Sequence, residues 1–132
     1  MIERLAVDTN AVVEYIRLDR EYPRQLDEAK EVLLPLTVIG ELFYGASRSD
    51  RPEHHRGSIA RIINRWSPLI PDIETARIYG DIRAGASRIP ASLKASKVND
   101  FWIAALCIQH ELPLLTNDGG FDNIAGLTVI HW

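Results

Sequence analysis

Short apolar segments that alternate with helical patterns constrain the fold of this chain more than any other feature of its sequence. A strand that is followed by a helix and then by another strand is typical of parallel β-strands joined by helical crossovers. The strand patterns cover residues 3–7, 32–36, 67–72, 112–116 and 127–131, and the helical patterns cover residues 10–18, 23–30, 37–48, 52–66, 73–87 and 99–111. We therefore expect an α/β fold with a mainly parallel sheet.

Details of these elements are also predicted. The first helix is expected to begin after Thr9 or Asn10 as its N-cap, and the third after Thr37. The fifth helix is predicted to bury one face. Residues 85–96, which mix Gly, Pro, Ser and Lys, are predicted to form a mobile loop. The expected inward side chains of the fifth helix are Ala76, Ile78, Tyr79, Ile82 and Ala86.

Size and composition place the chain among ordinary globular proteins. Its 132 residues fit one domain, residues 1–132, and 46% of them are hydrophobic while 25% are charged. A lone cysteine, Cys107, cannot form an internal disulfide, which favours a reducing compartment. The start of the chain lacks the apolar run of a signal peptide, and no stretch approaches the roughly 20 apolar residues of a membrane span. We therefore expect a cytoplasmic location.

Charge is distributed unevenly along the chain. Residues 48–97 contain ten Lys or Arg and five acidic residues, whereas the remainder contains five basic and thirteen acidic residues. A basic segment within an acidic protein can steer a nucleic acid towards its binding site. Solvated helix faces explain the same pattern more simply, so charge alone does not establish nucleic-acid binding.

Two acidic residues directly follow strand patterns. Asp8 closes the first strand and Asp118 follows the fourth, and the carboxyl ends of parallel strands face the ligand crevice of such folds. Each residue also has a simple structural interpretation, because Asp8 can cap a helix and Asp118 lies in the turn sequence NDGG. Asp122 lies close enough in sequence to take the place of Asp118.

Two further acidic residues lie on helix faces that look inward. Glu41 is surrounded by Val38, Ile39, Leu42 and Phe43, so its helix is expected to be largely buried. Asp100 precedes Ile103, Ala104 and Cys107 at helical spacing. A buried carboxylate needs compensation, which a salt bridge, a helix terminus or a metal ion can supply.

Taken together, these four acidic residues predict a cation site. If their strands are neighbours, Asp8, Glu41, Asp100 and Asp118 meet at one edge of the sheet, where their charges repel strongly. Carboxylate clusters of this kind suit Mg²⁺ or Mn²⁺, and no paired Cys or His set favours zinc.

The sequence resembles the PIN-domain nucleases, and within them the VapC toxins of bacterial and archaeal toxin–antitoxin pairs. The resemblance is carried by four segments: LAVDTNAVVEYI, TVIGELFYGA, VNDFWIAALCIQHELPLLTNDGGF and GLTVIHW. It implies a PIN-like three-layer fold, in which helices flank a twisted sheet that holds an acidic pocket at its carboxyl edge. The segment RAGASRIPASLKASKVND is longer and more basic than the family pattern.

The resemblance also assigns roles. It implies a catalytic, metal-binding set of Asp8, Glu41, Asp100 and Asp118 with Mg²⁺ or Mn²⁺, supported by the polar residues Thr9, Asn99 and Thr116, with Asn10 beside them. The basic residues expected to contact RNA are Arg48, Arg51, Lys94 and Lys97. The implied function is that of a metal-dependent endoribonuclease, a homodimeric toxin that a cognate antitoxin blocks.

Two other functions remain compatible with these residues. A haloacid-dehalogenase-type phosphatase also begins with a strand-ending aspartate, although it usually has a second aspartate where this chain has Asn10. A catalytically inert scaffold that binds RNA or a protein partner would keep the fold without the chemistry.

Overall fold

A computed structural model describes residues 2–17, 22–85 and 97–132 of the chain. In this part of the chain, five parallel strands form one sheet with helices around it, which confirms the predicted fold class. The strands are β1 (Arg4–Val7), β2 (Glu31–Pro35), β3 (Ser67–Leu69), β4 (Leu114–Leu115) and β5 (Val129–Ile130). The α-helices are α1 (Thr9–Arg17), α2 (Gln25–Glu28), α3 (Leu36–Ser47), α4 (Pro52–Arg65), α5 (Ile73–Gly85) and α6 (Val98–Gln109), and a 3₁₀ helix covers Gly119–Asn123.

Strand order places the first strand in the middle of the sheet. The order is β3-β2-β1-β4-β5, so β1 lies between β2 and β4. Val7 is opposite Leu115, and the amide of Asp8 donates to the Leu115 carbonyl at 3.0 Å. The chain segments that follow β1 and β4 therefore leave the sheet side by side, although more than a hundred residues separate them.

The core lies on both faces of this sheet. Strands with helices on each side are apolar at nearly every position, and Leu5, Leu34 and Leu114 are fully buried. Helix α6 contributes fully buried side chains at consecutive positions, including Ile103 and Leu106. It therefore lies inside the protein, and its polar first turn is held close to the sheet edge.

Several local predictions are wrong. Helix α1 begins at Thr9, so Asp8 precedes it, and α3 begins at Leu36 without a side-chain cap. Helix α2 is restricted to Gln25–Glu28. Helix α3 is not largely buried, because Phe43 and Tyr44 are 38% and 62% exposed.

Helix α5 also differs from the prediction in detail. Ala76 is exposed, while Ile78, Tyr79 and Ile82 are only partly buried; the fully buried residue of this helix is Thr75. Ala86, Lys94 and nearly all of the predicted loop lie outside the described residues. Within the described residues, none of the helices has the length and apolar character that a membrane span requires.

Candidate active site

A cavity of about 390 Å³ opens beside the ends of β1 and β4. All four acidic residues singled out in the sequence line it, and each reaches it from a different element: the end of β1, the middle of α3, the first turn of α6 and the turn after β4. The residues that line the cavity are Asp8, Thr9, Asn10, Val13, Glu14, Glu41, Asp100 and Asp118. The cavity therefore concentrates negative charge at one edge of the sheet.

Asp8 is the most deeply buried of these acids, with 6% of its surface exposed. Its carboxylate accepts hydrogen bonds from the Thr116 hydroxyl at 2.7 Å and from the backbone amide of Thr9 at 2.8 Å. Burial raises the pKa of Asp8, while these two hydrogen bonds act in the opposite direction. The carboxylate is thus fixed in place by β4 and by the start of α1.

Thr116 connects three parts of the site. Its hydroxyl donates to Asp8 and accepts a hydrogen bond from the backbone amide of Asp118 at 3.0 Å. The Asn10 side-chain amide lies 3.4 Å from both the Thr116 hydroxyl and the Asp8 carboxylate. Thr116 is fully buried, and its hydroxyl thus joins the carboxylate of Asp8 to the backbone of Asp118.

Asp100 and Glu41 experience both burial and repulsion. Burial raises the pKa of Asp100 to about 6, and the charges of Asp8 and Asp118 add to this shift, which Lys97 partly offsets. Burial also raises the pKa of Glu41, followed by the charge of Asp8. These shifts show that the carboxylates of the cavity interact with one another.

Asp118 lies at the exposed rim of the cavity. One of its carboxylate oxygens accepts a hydrogen bond from the Gly120 amide at 2.8 Å and so caps the 3₁₀ helix, as the turn sequence had suggested. The alternative residue Asp122 does not line the cavity, and its carboxylate is instead 2.9 Å from a ring nitrogen of His131.

The predicted supporting residues differ in their positions. Thr9 lines the cavity and Thr116 bonds Asp8, whereas Asn99 is exposed and is not part of the lining. Val13 and Glu14 line the cavity but were not anticipated. The spacing of Asn10 and Glu14, one helical turn apart on α1, is the signal that could have identified Glu14.

The three predicted basic residues that the structure describes do not line the cavity. Arg48 and Arg51 are exposed near the end of α3 and the start of α4, and Arg48 donates to the Tyr44 hydroxyl at 2.8 Å. Lys97, just before α6, lies closer to the acids, since its charge lowers the pKa of Asp100. Lys94 falls outside the described residues.

The chemistry of the site fits a hard divalent cation. Three buried oxygen atoms at the cavity have no hydrogen-bond partner: Thr9 Oγ1, Asn10 Oδ1 and Glu41 Oε1. In the described ranges, no Lys or Arg forms an ion pair with the four acids, and the charge of Lys97 offsets theirs only in part. Oxygen donors of this kind suit Mg²⁺ or Mn²⁺.

The positions of these side chains do not match the coordination shell of a metal ion. Among the residues that the structure describes, no three His, Cys, Asp or Glu side chains are arranged to hold one ion. Repulsion favours separation of like charges, and a cation is what allows carboxylates to approach one another. The donor chemistry therefore fits a metal, although its coordination geometry is not preformed.

Fold and cavity together define a parallel α/β protein with an acidic, cation-suited crevice at the carboxyl ends of its central strands. Comparison with known sequences agrees with this class, since residues 5–127 match the PIN domain family. The chain belongs to the PIN domain family.

Individual relatives are similar over nearly their whole length. The chain is 28% identical to the tRNA(fMet)-specific endonuclease VapC of Salmonella typhimurium over 135 residues, which cover 98% of each protein. It is 28% identical to Ribonuclease VapC2 of Haemophilus influenzae over 129 residues, 96% of each protein.

Solved structures share the fold. The VapBC2 complex of Rickettsia felis, bound to a DNA fragment from its promoter, contains a chain that aligns with a TM-score of 0.83 at 22% identity over 98% of both chains. A chain of the DNA-bound VapBC complex from Salmonella typhimurium aligns with a TM-score of 0.80 at 25% identity, covering 100% of this chain and 99% of that one.

Proposed function

We propose that this protein is a divalent-metal-dependent endoribonuclease of the VapC kind, the toxin of a toxin–antitoxin pair. One observation carries the proposal: four acids from distant parts of the sequence line a single cavity, where burial and then the charges of the other acids raise the pKa of Asp100 to about 6. The relatives of this chain within the PIN domain family are named as ribonucleases, which supports RNA as the substrate.

In this proposal, Mg²⁺ or Mn²⁺ is held by Asp8, Asp100, Glu41 and Asp118. A bound ion of this type lowers the pKa of a coordinated water and stabilises charge on a phosphate oxygen. Asp8 would be the ligand of fixed orientation, because two hydrogen bonds hold its carboxylate, and the other three acids would complete the ligand set. The unpaired Oε1 of Glu41 can accept the proton of an attacking water, which makes Glu41 the candidate general base.

Basic residues outside the cavity would hold the RNA backbone. Lys97 is the best placed of them, because its charge acts on Asp100. It also reaches the N-terminal end of the 3₁₀ helix, where its Nζ is 2.6 Å from the position that a Cβ atom on Gly120 would occupy. Arg48 and Arg51 would contact more distant phosphates, together with Lys94. Salt-dependent RNA binding follows from such contacts.

Two protein partners complete the proposal. The structures similar to this chain are toxin–antitoxin complexes, which supports a cognate antitoxin that covers the acidic cavity. Helix α3 presents Leu36 and Phe43 to solvent at positions seven residues apart, and Tyr44 beside them. An apolar helix face of this kind suits a second copy of the chain, which supports a homodimer.

Replacement of one acid tests the chemistry. Asp100→Asn keeps the shape of the side chain but removes its charge, so we expect an unchanged circular dichroism spectrum and at least a hundredfold loss of RNA cleavage with Mn²⁺. Asp81→Asn, an exposed acid on α5 that does not line the cavity, is the matched control and should retain full activity. Undiminished cleavage by the purified Asp100→Asn protein would refute the assignment.

Metal binding separates a nuclease from an inert scaffold. Calorimetric titration of the wild-type protein with Mn²⁺ should show saturable binding that Asp8→Asn or Asp100→Asn weakens strongly. A wild-type protein that binds no Mn²⁺ and cuts no RNA would instead be a scaffold for RNA or a partner.

A further inference from the structure

His131 connects the last strand to the turn that carries Asp118. It directly follows β5, and its Nδ1 lies 2.7 Å from the backbone carbonyl oxygen of Thr116. Its Nε2 lies 2.9 Å from a carboxylate oxygen of Asp122. A carbonyl and a carboxylate are both acceptors, so both hydrogen bonds form only when each ring nitrogen carries a proton.

The two partners of His131 bracket the Asp118 segment. Thr116 lies two residues before Asp118, and Asp122 lies in the 3₁₀ helix that Asp118 caps. The same Thr116 donates its hydroxyl to Asp8 and accepts a hydrogen bond from the Asp118 amide. The imidazolium ring therefore ties both ends of the turn to β5, while Thr116 ties it to the centre of the site.

We propose that His131 is a positioning residue, which in its protonated form holds the turn of residues 116–122 so that Asp118 stays at the acidic cavity. This role rests on the proposed function of the cavity as the metal site. His131 itself does not line the cavity, and it acts only through Thr116 and Asp122.

Protonation decides how many of the two bonds His131 can make. A neutral imidazole has one N–H group and can donate to Thr116 or to Asp122, but not to both. The hydrogen bond to Asp122 raises the pKa of His131 most, followed by the Thr116 carbonyl and the charges of Asp122 and Asp118. Because its pKa is raised on folding, the double link is fully present below about pH 6.5 and is lost as pH rises through the folded value.

The test follows the ring and the turn directly in metal-free protein by NMR. At pH 6.5 we expect both ring nitrogens of His131 to be protonated, and the amide shift of Gly120 to change with pH in step with the His131 ring. In His131→Gln the Gly120 titration should disappear, and in Asp122→Asn the pKa of His131 should fall. A residue with a merely structural role would not couple the two titrations.

A second measurement joins the turn to the metal site. Loss of a group that orients a metal ligand typically weakens metal binding about 10-fold to 100-fold, so we expect a Mn²⁺ affinity at least tenfold lower for His131→Gln. The matched control is His110→Gln, since His110 follows α6 at the end remote from Asp100, and its Mn²⁺ affinity should equal that of the wild type.

Two results would overturn the role of His131: a neutral ring at pH 6.5, or a His131→Gln protein whose Gly120 titration and Mn²⁺ affinity match the wild type. Neither measurement uses RNA. A wild-type protein that shows the coupled titration and binds Mn²⁺ but cuts no RNA would overturn the proposed ribonuclease function and leave the positioning role intact.

Discussion

At the scale of single residues, Asp100 shows that a charged carboxylate in this cavity lowers the stability of the folded protein. Its side chain is partly buried beside three other acids, and its pKa is raised from 3.8 to about 6. Between these two values the folded state holds a proton that the unfolded state has released. Without metal, the contribution of Asp100 to stability therefore falls as pH rises from about 4 to about 6.

Asp100→Asn removes this dependence. In EDTA at pH 7, we expect the variant to unfold a few degrees higher than the wild type, because its neutral amide escapes the cost of burying a charge and the repulsion of Asp8 and Asp118. At pH 4.5 the difference should shrink, since Asp100 is then largely protonated. Thermal unfolding followed by circular dichroism measures the unfolding temperature at both pH values. Asp81→Asn should show no pH-dependent increase in this temperature. A variant less stable than the wild type at pH 7 would contradict the assigned repulsion.

The sequence predicts some residues of the site better than others. Asp100 and Glu41 are predictable because burying a carboxylate on an apolar helix face is costly unless a function requires it. Both line the cavity. The role of Thr116 came only from the family resemblance, and His131 was not anticipated. The contact of Thr116 with Asp8 joins residues 108 positions apart, and that of His131 with Thr116 joins residues 15 positions apart, which local periodicity cannot reveal. Asn99 was placed by the same resemblance and is exposed.

At the scale of elements, one buried hydroxyl joins the start of α5 to the end of α6. Thr75 is fully buried, and its Oγ1 accepts a hydrogen bond from the Asp72 amide at 2.9 Å and contacts the Gln109 side-chain oxygen. Asp72 in turn accepts hydrogen bonds from the Thr75 amide at 3.1 Å and from Gln109 Nε2 at 2.8 Å. The start of α5 is thus capped and joined to the end of α6 by the same three side chains.

Thr75→Ala should therefore cost about 1–2 kcal/mol of unfolding free energy, since it removes the hydroxyl that bonds the Asp72 amide and contacts Gln109. Thr75→Ser retains the hydroxyl and should lose much less. Urea denaturation monitored by tryptophan fluorescence compares the three proteins. Equal losses for both variants would mean that the methyl group, rather than the hydroxyl, matters at this position.

Element type was predictable where patterning and local chemistry agree. The apolar runs of β1 and β2 and the helical spacing of α4 predicted these elements to within about two residues. The exposure of α3 could not be predicted in the same way. Apolar residues occupy most of the circumference of α3, and the sequence alone does not show whether the protein core or a partner covers them.

At the scale of the whole molecule, that exposed face of α3 leads to a test of assembly. Phe43→Ser places a polar group on the surface proposed to meet a second copy, so we expect a shift from dimer to monomer in sedimentation equilibrium. Phe43→Leu keeps the surface apolar and should remain dimeric. A wild-type protein that is monomeric at micromolar concentration, or a Phe43→Ser protein that remains dimeric, would exclude this face as the dimer contact.

The middle position of β1 also determines when the acidic cavity becomes complete during synthesis of the chain. Its neighbour β4 begins at Leu114, and the hydroxyl that fixes Asp8 belongs to Thr116. A nascent chain that ends within α5 contains Asp8 and Glu41, yet lacks Asp100, Thr116 and Asp118. With this strand order, the acidic cavity is complete only after residue 118 has been synthesised, so under the proposed function a shorter nascent chain holds no complete cleavage centre.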